Sequence, residues 1–221
     1  MSSVAKVLWY NVKNFLGGEI LETFELLSKG GAIMYLLFAI SVAVFAIGIE
    51  RIVFYKFSTQ NQEQFLKKLE EVLKTKSAEK VADFCYQEKN IFAKIAFAGV
   101  LAATKNENIS LALENSYIEI AMNLRAKLNY LSMIVTLAPL LGLLGTIFGM
   151  IKSFNIFSLQ AGKNLEITGG IGEALIATAT GLCVAIFALI IHTYLAQKLD
   201  EILSELEKTS NIILAHFGKV I

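Results

Sequence analysis

The polar side chains that could do chemistry in this chain are few, because most of its length is apolar. Glu173 is the only acid between Ile167 and Gln197 and stands inside GGIGEALIATATGLCVA, Gly169 to Ala185. A charge at the centre of a bilayer costs about 2.5–3.5 kcal/mol on insertion scales, so membrane carboxylates usually line a polar path. Two readings therefore fit Glu173: a polar-contact or proton-relay group near the outer mouth of a path, or a residue a few positions inside a span that reaches the headgroups. Thr178 lies in the same run, and Thr146 in APLLGLLGTIFGMIKS, Ala138 to Ser153. A lone membrane threonine commonly donates to a carbonyl of its own helix. Two of them on neighbouring runs also fit a shared polar contact.

Helical periodicity arranges these residues. Pro139, Gly142, Thr146, Gly149 and Ser153 fall on one narrow stripe, and Ala174, Thr178, Gly181, Ala185 and Ala188 on another. Small stripes let membrane helices approach closely. Pro139 frees one backbone carbonyl and can kink its helix. Glu173 and Thr178 lie about 140° apart on an ideal helix, with Thr180 nearer the Glu173 face, so the three cannot converge from a straight helix. His192 reads as an interfacial residue.

The composition excludes several classes. Of 221 residues, 55% are hydrophobic and 18% charged, and the mean hydropathy is +0.59, values that point to a membrane protein. The net charge of +1 gives no reason to expect nucleic acid. Two histidines and the distant Cys85 and Cys183 make no metal-ligand cluster, and the cysteines read as reduced packing residues. Hydrolase and phosphate-binding signatures such as Gly-x-Ser-x-Gly, His-Glu-x-x-His and Gly-x-x-x-x-Gly-Lys are absent, so neither enzyme activity nor a cofactor is expected. No aspartate occurs in any apolar run. If protons cross here, a second protein contributes the main titrating group.

The elements that must position these residues read as an all-α, three-span membrane protein whose long helices extend into a cytoplasmic helical layer. Residues 1–29, with Trp9, Tyr10 and Phe15 beside Lys6 and Lys13, predict an interfacial amphipathic segment and not a secretory signal. Residues 30–52 form the first span: twenty uncharged positions from Gly30 to Ile49, enough for the roughly 30 Å hydrocarbon core, closed by Glu50-Arg51. Residues 53–130 return to helical amphipathicity, as in Phe65, Leu66, Leu69, Val72 and Leu73. Within them Ile91–Thr104 is too short for a span, and Glu107–Tyr130 reads as one long helix. The second span is 131–152, a loop of about seventeen residues covers 153–169, and the third span is 170–196. Residues 197–221 carry a stripe of Leu199, Ile202, Leu203, Leu206, Ile213 and Phe217, an amphipathic helix expected to pack on the layer. Lys6, Lys13, Lys29, Lys152 and Lys163 flank one side of the spans, and the other fifteen basic residues the other. The positive-inside bias puts the N-terminus outside and the C-terminus in the cytoplasm.

On APLLGLLGTIFGMIKSF, Ala138 to Phe154, and GGIGEALIATATGL, Gly169 to Leu182, the sequence resembles the ExbB/TolQ/MotA proton-channel family. The Ala-Pro, Gly-x-x-Gly-Thr and Glu-Ala-Leu-x-x-Thr elements recur together in order, and the outline of three spans extends the resemblance to the whole chain. Its length and span number are similar to the ExbB and TolQ type, with the N-terminal segment leaning toward ExbB. The resemblance implies a homo-pentamer in the bacterial inner membrane around a dimer of single-span ExbD- or TolR-like partners. The partner's aspartate would face Thr146 and Thr178, with Glu173 as the pore glutamate, and proton flow would work a TonB- or TolA-like protein acting on the outer membrane. The contrasting expectation is a non-conducting structural scaffold whose small stripes, including Gly142, Gly149 and Gly181, serve packing alone.

Overall fold

The computed structural model describes residues 31–75, 77–159 and 164–218. The expected N-terminal interfacial segment lies outside them. Among the described residues seven helices follow one another: α1 Gly31–Ser58, α2 Gln62–Thr75, α3 Ala78–Gln87, α4 Ile91–Thr104, α5 Ile109–Arg125, α6 Leu128–Leu159 and α7 Asn164–Phe217. The fold is all-α, and three stretches, Ala32–Thr75, Ile109–Phe154 and Gly169–Phe217, are long and apolar enough to cross a membrane.

Backbone contacts divide the chain into two units. The first joins α1 up to Phe45, α6 from Ser132 and α7 up to Leu189; the second holds Ala46–Leu131 and the chain from Ile190.

In the second unit, amphipathic faces close a core of large apolar side chains. Phe65, Leu69, Val72 and Leu73 of α2 are buried, while Leu66 is half-buried. Phe65 stacks on Phe84 of α3, with ring centroids 5.7 Å apart. The apolar α4 buries Phe92, Ile95, Ala96 and Val100. It begins where the Asn90 side chain accepts from the Ala93 amide at 2.7 Å, and α5 begins where Asn108 accepts from Leu111 at 3.1 Å. Both are asparagine N-caps satisfying an orphan amide. Asn61 and Asn106 adopt φ of 59° and 56°, the left-handed conformation that asparagine tolerates, and so turn the chain between helices. The tail stripe is buried at Leu199, Ile202, Leu203, Leu206 and Ile213. It packs on the layer: a methyl added at Gly99 of α4 would stand 2.8 Å from Ile213 and 2.7 Å from Leu113.

The helices depart from the expected boundaries in three places. The helix expected over Glu107–Tyr130 is interrupted by a turn at Ala126–Lys127. There, carbonyls at the end of α5 find side-chain donors. Arg51 Nη1 donates to the Asn123 and Leu124 oxygens at 3.2 and 3.4 Å, and the Tyr55 hydroxyl to Leu124 at 3.0 Å. The negative end of the α5 dipole compensates the buried guanidinium, and Lys127 pairs with Glu50. Secondly, the seventeen-residue connection is shorter, because α6 continues to Leu159 and α7 begins at Asn164. Neither flank contains proline, and continued helix satisfies backbone groups internally. Thirdly, the last span and the tail helix form one 54-residue helix, since neither glycine nor proline occurs from Leu182 to Phe217.

Candidate functional site

The first unit brings the two small-residue runs together. Within this unit the buried positions of α6 include Ile134, Ala138, Gly142, Gly145, Gly149 and Ser153, and those of α7 include Gly170, Ala174, Ala177, Gly181, Val184 and Ala188. Steps of three and four residues keep one face of each helix toward the other, forming a seam: four, three, four, three and four along these positions of α7, and four, four, three, four and four along α6 from Ile134. The seam is closest at its glycines. A methyl added to Gly142 would stand 3.1 Å from Thr178 Cα and from the Ala177 carbonyl oxygen; one added to Gly181 would stand 2.6 Å from the Ala138 carbonyl oxygen and 2.9 Å from Gly142 Cα. At Gly149 the obstacles are Ala174 Cβ at 2.8 Å and the Gly170 oxygen at 3.0 Å. Backbone meets backbone here, so there is no flexible side chain to give way.

Two glycines of this seam were not singled out by the sequence stripes. Gly145 faces Ala177, whose Cβ would be 2.6 Å from an added methyl, and Gly170 lies against the Ser153 hydroxyl. The signal was present in the spacing of Gly142, Gly145 and Gly149, three and four residues apart. Pro139, half-buried, lies within α6, which remains continuous through it.

The polar residues divide by what they touch. Thr178 donates across the seam, from Oγ1 to the Gly142 carbonyl at 3.0 Å. Thr146 is half-buried and donates within its own helix, to the Leu143 carbonyl at 2.7 Å. Thr180 likewise donates to Ile176 at 2.9 Å. Ser153 is buried and donates to Gly149 at 2.9 Å. Glu173 pairs with Lys152, Oε2 to Nζ, at 3.0 Å. Thus Glu173 and Thr178, well apart on the helical wheel, both engage α6: Thr178 directly, and Glu173 because the long lysine reaches it. The sequence marks Lys152 only as one of the basic residues that flank the spans. His192 is half-buried on α7, Cys183 is exposed and Cys85 is buried. Among the described residues no group of three or more His, Cys, Asp or Glu side chains could hold a metal ion.

Three long apolar helices, and a lone span carboxylate beside a glycine seam, define a multi-pass helical membrane protein. Comparison with known proteins makes this more particular. The model of the MotA/TolQ/ExbB proton channel family matches residues 87–208, which include the seam and its polar side chains. The chain belongs to that family, and in general terms its role is that of a proton-channel energiser. It is similar to a putative biopolymer transport protein, ExbB-like 1, of Synechocystis sp., with 31% identity over 176 residues, 76% of this chain and 68% of that protein. It also resembles a putative biopolymer transport protein ExbB homolog of Methanothermobacter thermautotrophicus, 29% identical over 198 residues, 89% of this chain and 69% of that protein. The biopolymer transport protein ExbB of Salmonella typhimurium is 39% identical over 71 residues, 32% of this chain and 29% of that protein.

Proposed function

We propose that this chain is the ring-forming, proton-conducting subunit of an inner-membrane motor of the ExbB–ExbD–TonB or TolQ–TolR–TolA type. Five copies surround a dimer of single-span ExbD- or TolR-like partners, and the proton motive force drives work at the outer membrane through a TonB- or TolA-like protein. The observation that carries this reading is the family match across the seam. Beside it stands a fact of the sequence: the only aspartates, Asp83 and Asp200, lie outside the three apolar spans, so the aspartate of the path comes from the partner.

In this reading the spans are residues 30–52, 131–152 and 170–196. Segments 1–29 and 153–169 are periplasmic, and 53–130 and 197–221 are cytoplasmic. Thr146, Thr178 and Glu173 line the proton path, while Pro139, Gly142, Gly149 and Gly181 shape the helices behind it.

Native mass spectrometry of the gently extracted protein, co-expressed with its genomic neighbours, tests the assembly. A closed ring carrying a smaller number of single-span, aspartate-bearing chains is the expected result; a monomer or dimer without such a partner overturns it. One observation favours a second reading, a non-conducting scaffold: the Thr178 hydroxyl is already used in helix packing. Thr146→Val and Glu173→Ala separate the two. A conducting ring loses proton flux and stays assembled, whereas a scaffold is indifferent to both.

A further inference from the structure

Lys152 is the only charged residue of α6, and Glu173 is the only acid of α7 between Ile167 and Gln197. They stand 21 residues apart in the chain and pair at 3.0 Å. We infer that Lys152 is a positioning residue for Glu173: its ammonium holds the carboxylate against α6 between proton deliveries and lets go when the carboxylate is neutralised. The inference rests on the proposal that Glu173 belongs to the proton path.

Three observations carry it. A carboxylate at the end of an apolar span is costly alone, and an opposed ammonium offsets part of that cost. The pair is also asymmetric, with side-chain exposures of 63% for Lys152 and 21% for Glu173. The lysine therefore approaches from the open side, on a flexible stem whose ammonium is readily hydrated, and can turn to water while Glu173 stays. Finally, the backbone beneath is closely packed. Ser153, next to Lys152, is buried against Gly170, and Ala174, next to Glu173, lies against Gly149. The exposed ion pair is a looser contact above this close-packed one.

The proton balance is simple. A proton arriving from the aqueous side converts the Glu173 carboxylate to the acid, and the ammonium, keeping its own three protons, exchanges carboxylate for water. When the acid gives that proton to the acceptor on the partner, the carboxylate returns to Lys152.

The test uses the full complex with its partner in proteoliposomes, measuring proton flux under an imposed gradient and the intactness of the complex. Lys152→Met keeps the stem and removes the charge, while Lys152→Arg keeps the charge. With the complex intact, the expected flux falls about tenfold or more in Lys152→Met and stays within about threefold of the parent in Lys152→Arg. In a Glu173→Gln background Lys152→Met adds nothing, as coupling through one contact requires. Parental flux in Lys152→Met, or a full independent loss on top of Glu173→Gln, overturns the inference and leaves the proposed function standing. Parental flux in Glu173→Gln overturns the assignment of Glu173 itself, and the inference falls with it. Should Lys152→Met fail to assemble, Lys152→Gln replaces it, and parental flux in that variant is equally decisive against the inference.

Discussion

The Thr178 hydroxyl crosses to another helix and the Thr146 hydroxyl does not, although the two look alike in the sequence. Periodicity could name both positions, but a hydroxyl's choice between its own helix and a neighbour depends on how closely that neighbour approaches. At Gly142 the missing side chain bares the carbonyl that Thr178 reaches. Thr178→Val removes this bond, at a net cost of about 1 kcal/mol, while Thr178→Ser keeps the donor. The midpoint temperature of the detergent-solubilised assembly is expected to fall in the valine variant and recover in the serine variant. Equal midpoints would mean that the bond contributes nothing. Cys85 permits a sharper statement, because burial raises its thiol from an ordinary 9.0 to about 12. Burial disfavours the thiolate, so the folded chain holds this proton while the unfolded chain releases it. Stability linked to Cys85 is thus complete below pH 9 and lost as the pH rises toward 12. In a Cys183→Ala background at pH 8, alkylation of Cys85 is expected to be about a hundredfold or more slower than that of a free thiol, since only the thiolate reacts. Denaturant should abolish the difference, and comparable rates in the folded protein would refute the burial.

At the scale of helices, the sequence was most informative where the period was strongest. The uncharged run ending at Ile49 is helical, the stripe of Phe65, Leu69, Val72 and Leu73 is buried with Leu66 only half-buried, and the apolar α4 is short, as the pattern has it. Helix ends were harder to read. The turn at Ala126–Lys127 depends on Arg51 and Tyr55, some seventy residues away, and no local signal announces it. The small stripes were legible only in outline. The stripe read from the sequence runs from Pro139 through Thr146 to Ser153, whereas the observed seam runs from Ala138 through Gly145 to Ser153, because it is Gly145, lacking a side chain, that lies against Ala177. Glycines on and off the seam should therefore behave oppositely. Gly142→Ala and Gly181→Ala push a methyl into backbone, an overpacking cost of about 1–3 kcal/mol. Gly172, whose added methyl meets nothing within 4 Å, should gain about 1 kcal/mol from the better helix propensity of alanine. Thermal unfolding of the three variants checks the contrast. A Gly142→Ala protein as stable as Gly172→Ala would mean that the seam is looser than described.

Taken whole, the chain exposes far more large apolar surface than a water-soluble protein tolerates. Tyr35, Phe38 and Phe45 of α1, Leu140 and Phe148 of α6, and Ile186 and Phe187 of α7 are among the exposed side chains. Lipid and further copies of the chain are what such surfaces can face. Which end of the spans meets which compartment is a separate matter, and the proposed orientation rests on charge. Lys152 and Lys163 are the only lysines or arginines from Leu131 to Gln197, whereas the segment between the first two spans and the tail are rich in lysine. Inserting the second and third spans the other way would carry the basic layer across the membrane, against the positive-inside bias. Single cysteines placed in a Cys85→Ala, Cys183→Ala background read this directly with a membrane-impermeant maleimide. Lys163→Cys, between the second and third spans, is expected to label once the outer membrane is permeabilised. Ser77→Cys, exposed between α2 and α3, and Ser204→Cys, exposed on α7, should label only after the inner membrane is broken. The reverse pattern would invert the topology and place Glu173 and Lys152 at the cytoplasmic end of the spans. Protons driven inward would then reach the pair last, and a role in receiving them from outside would fail on topology alone.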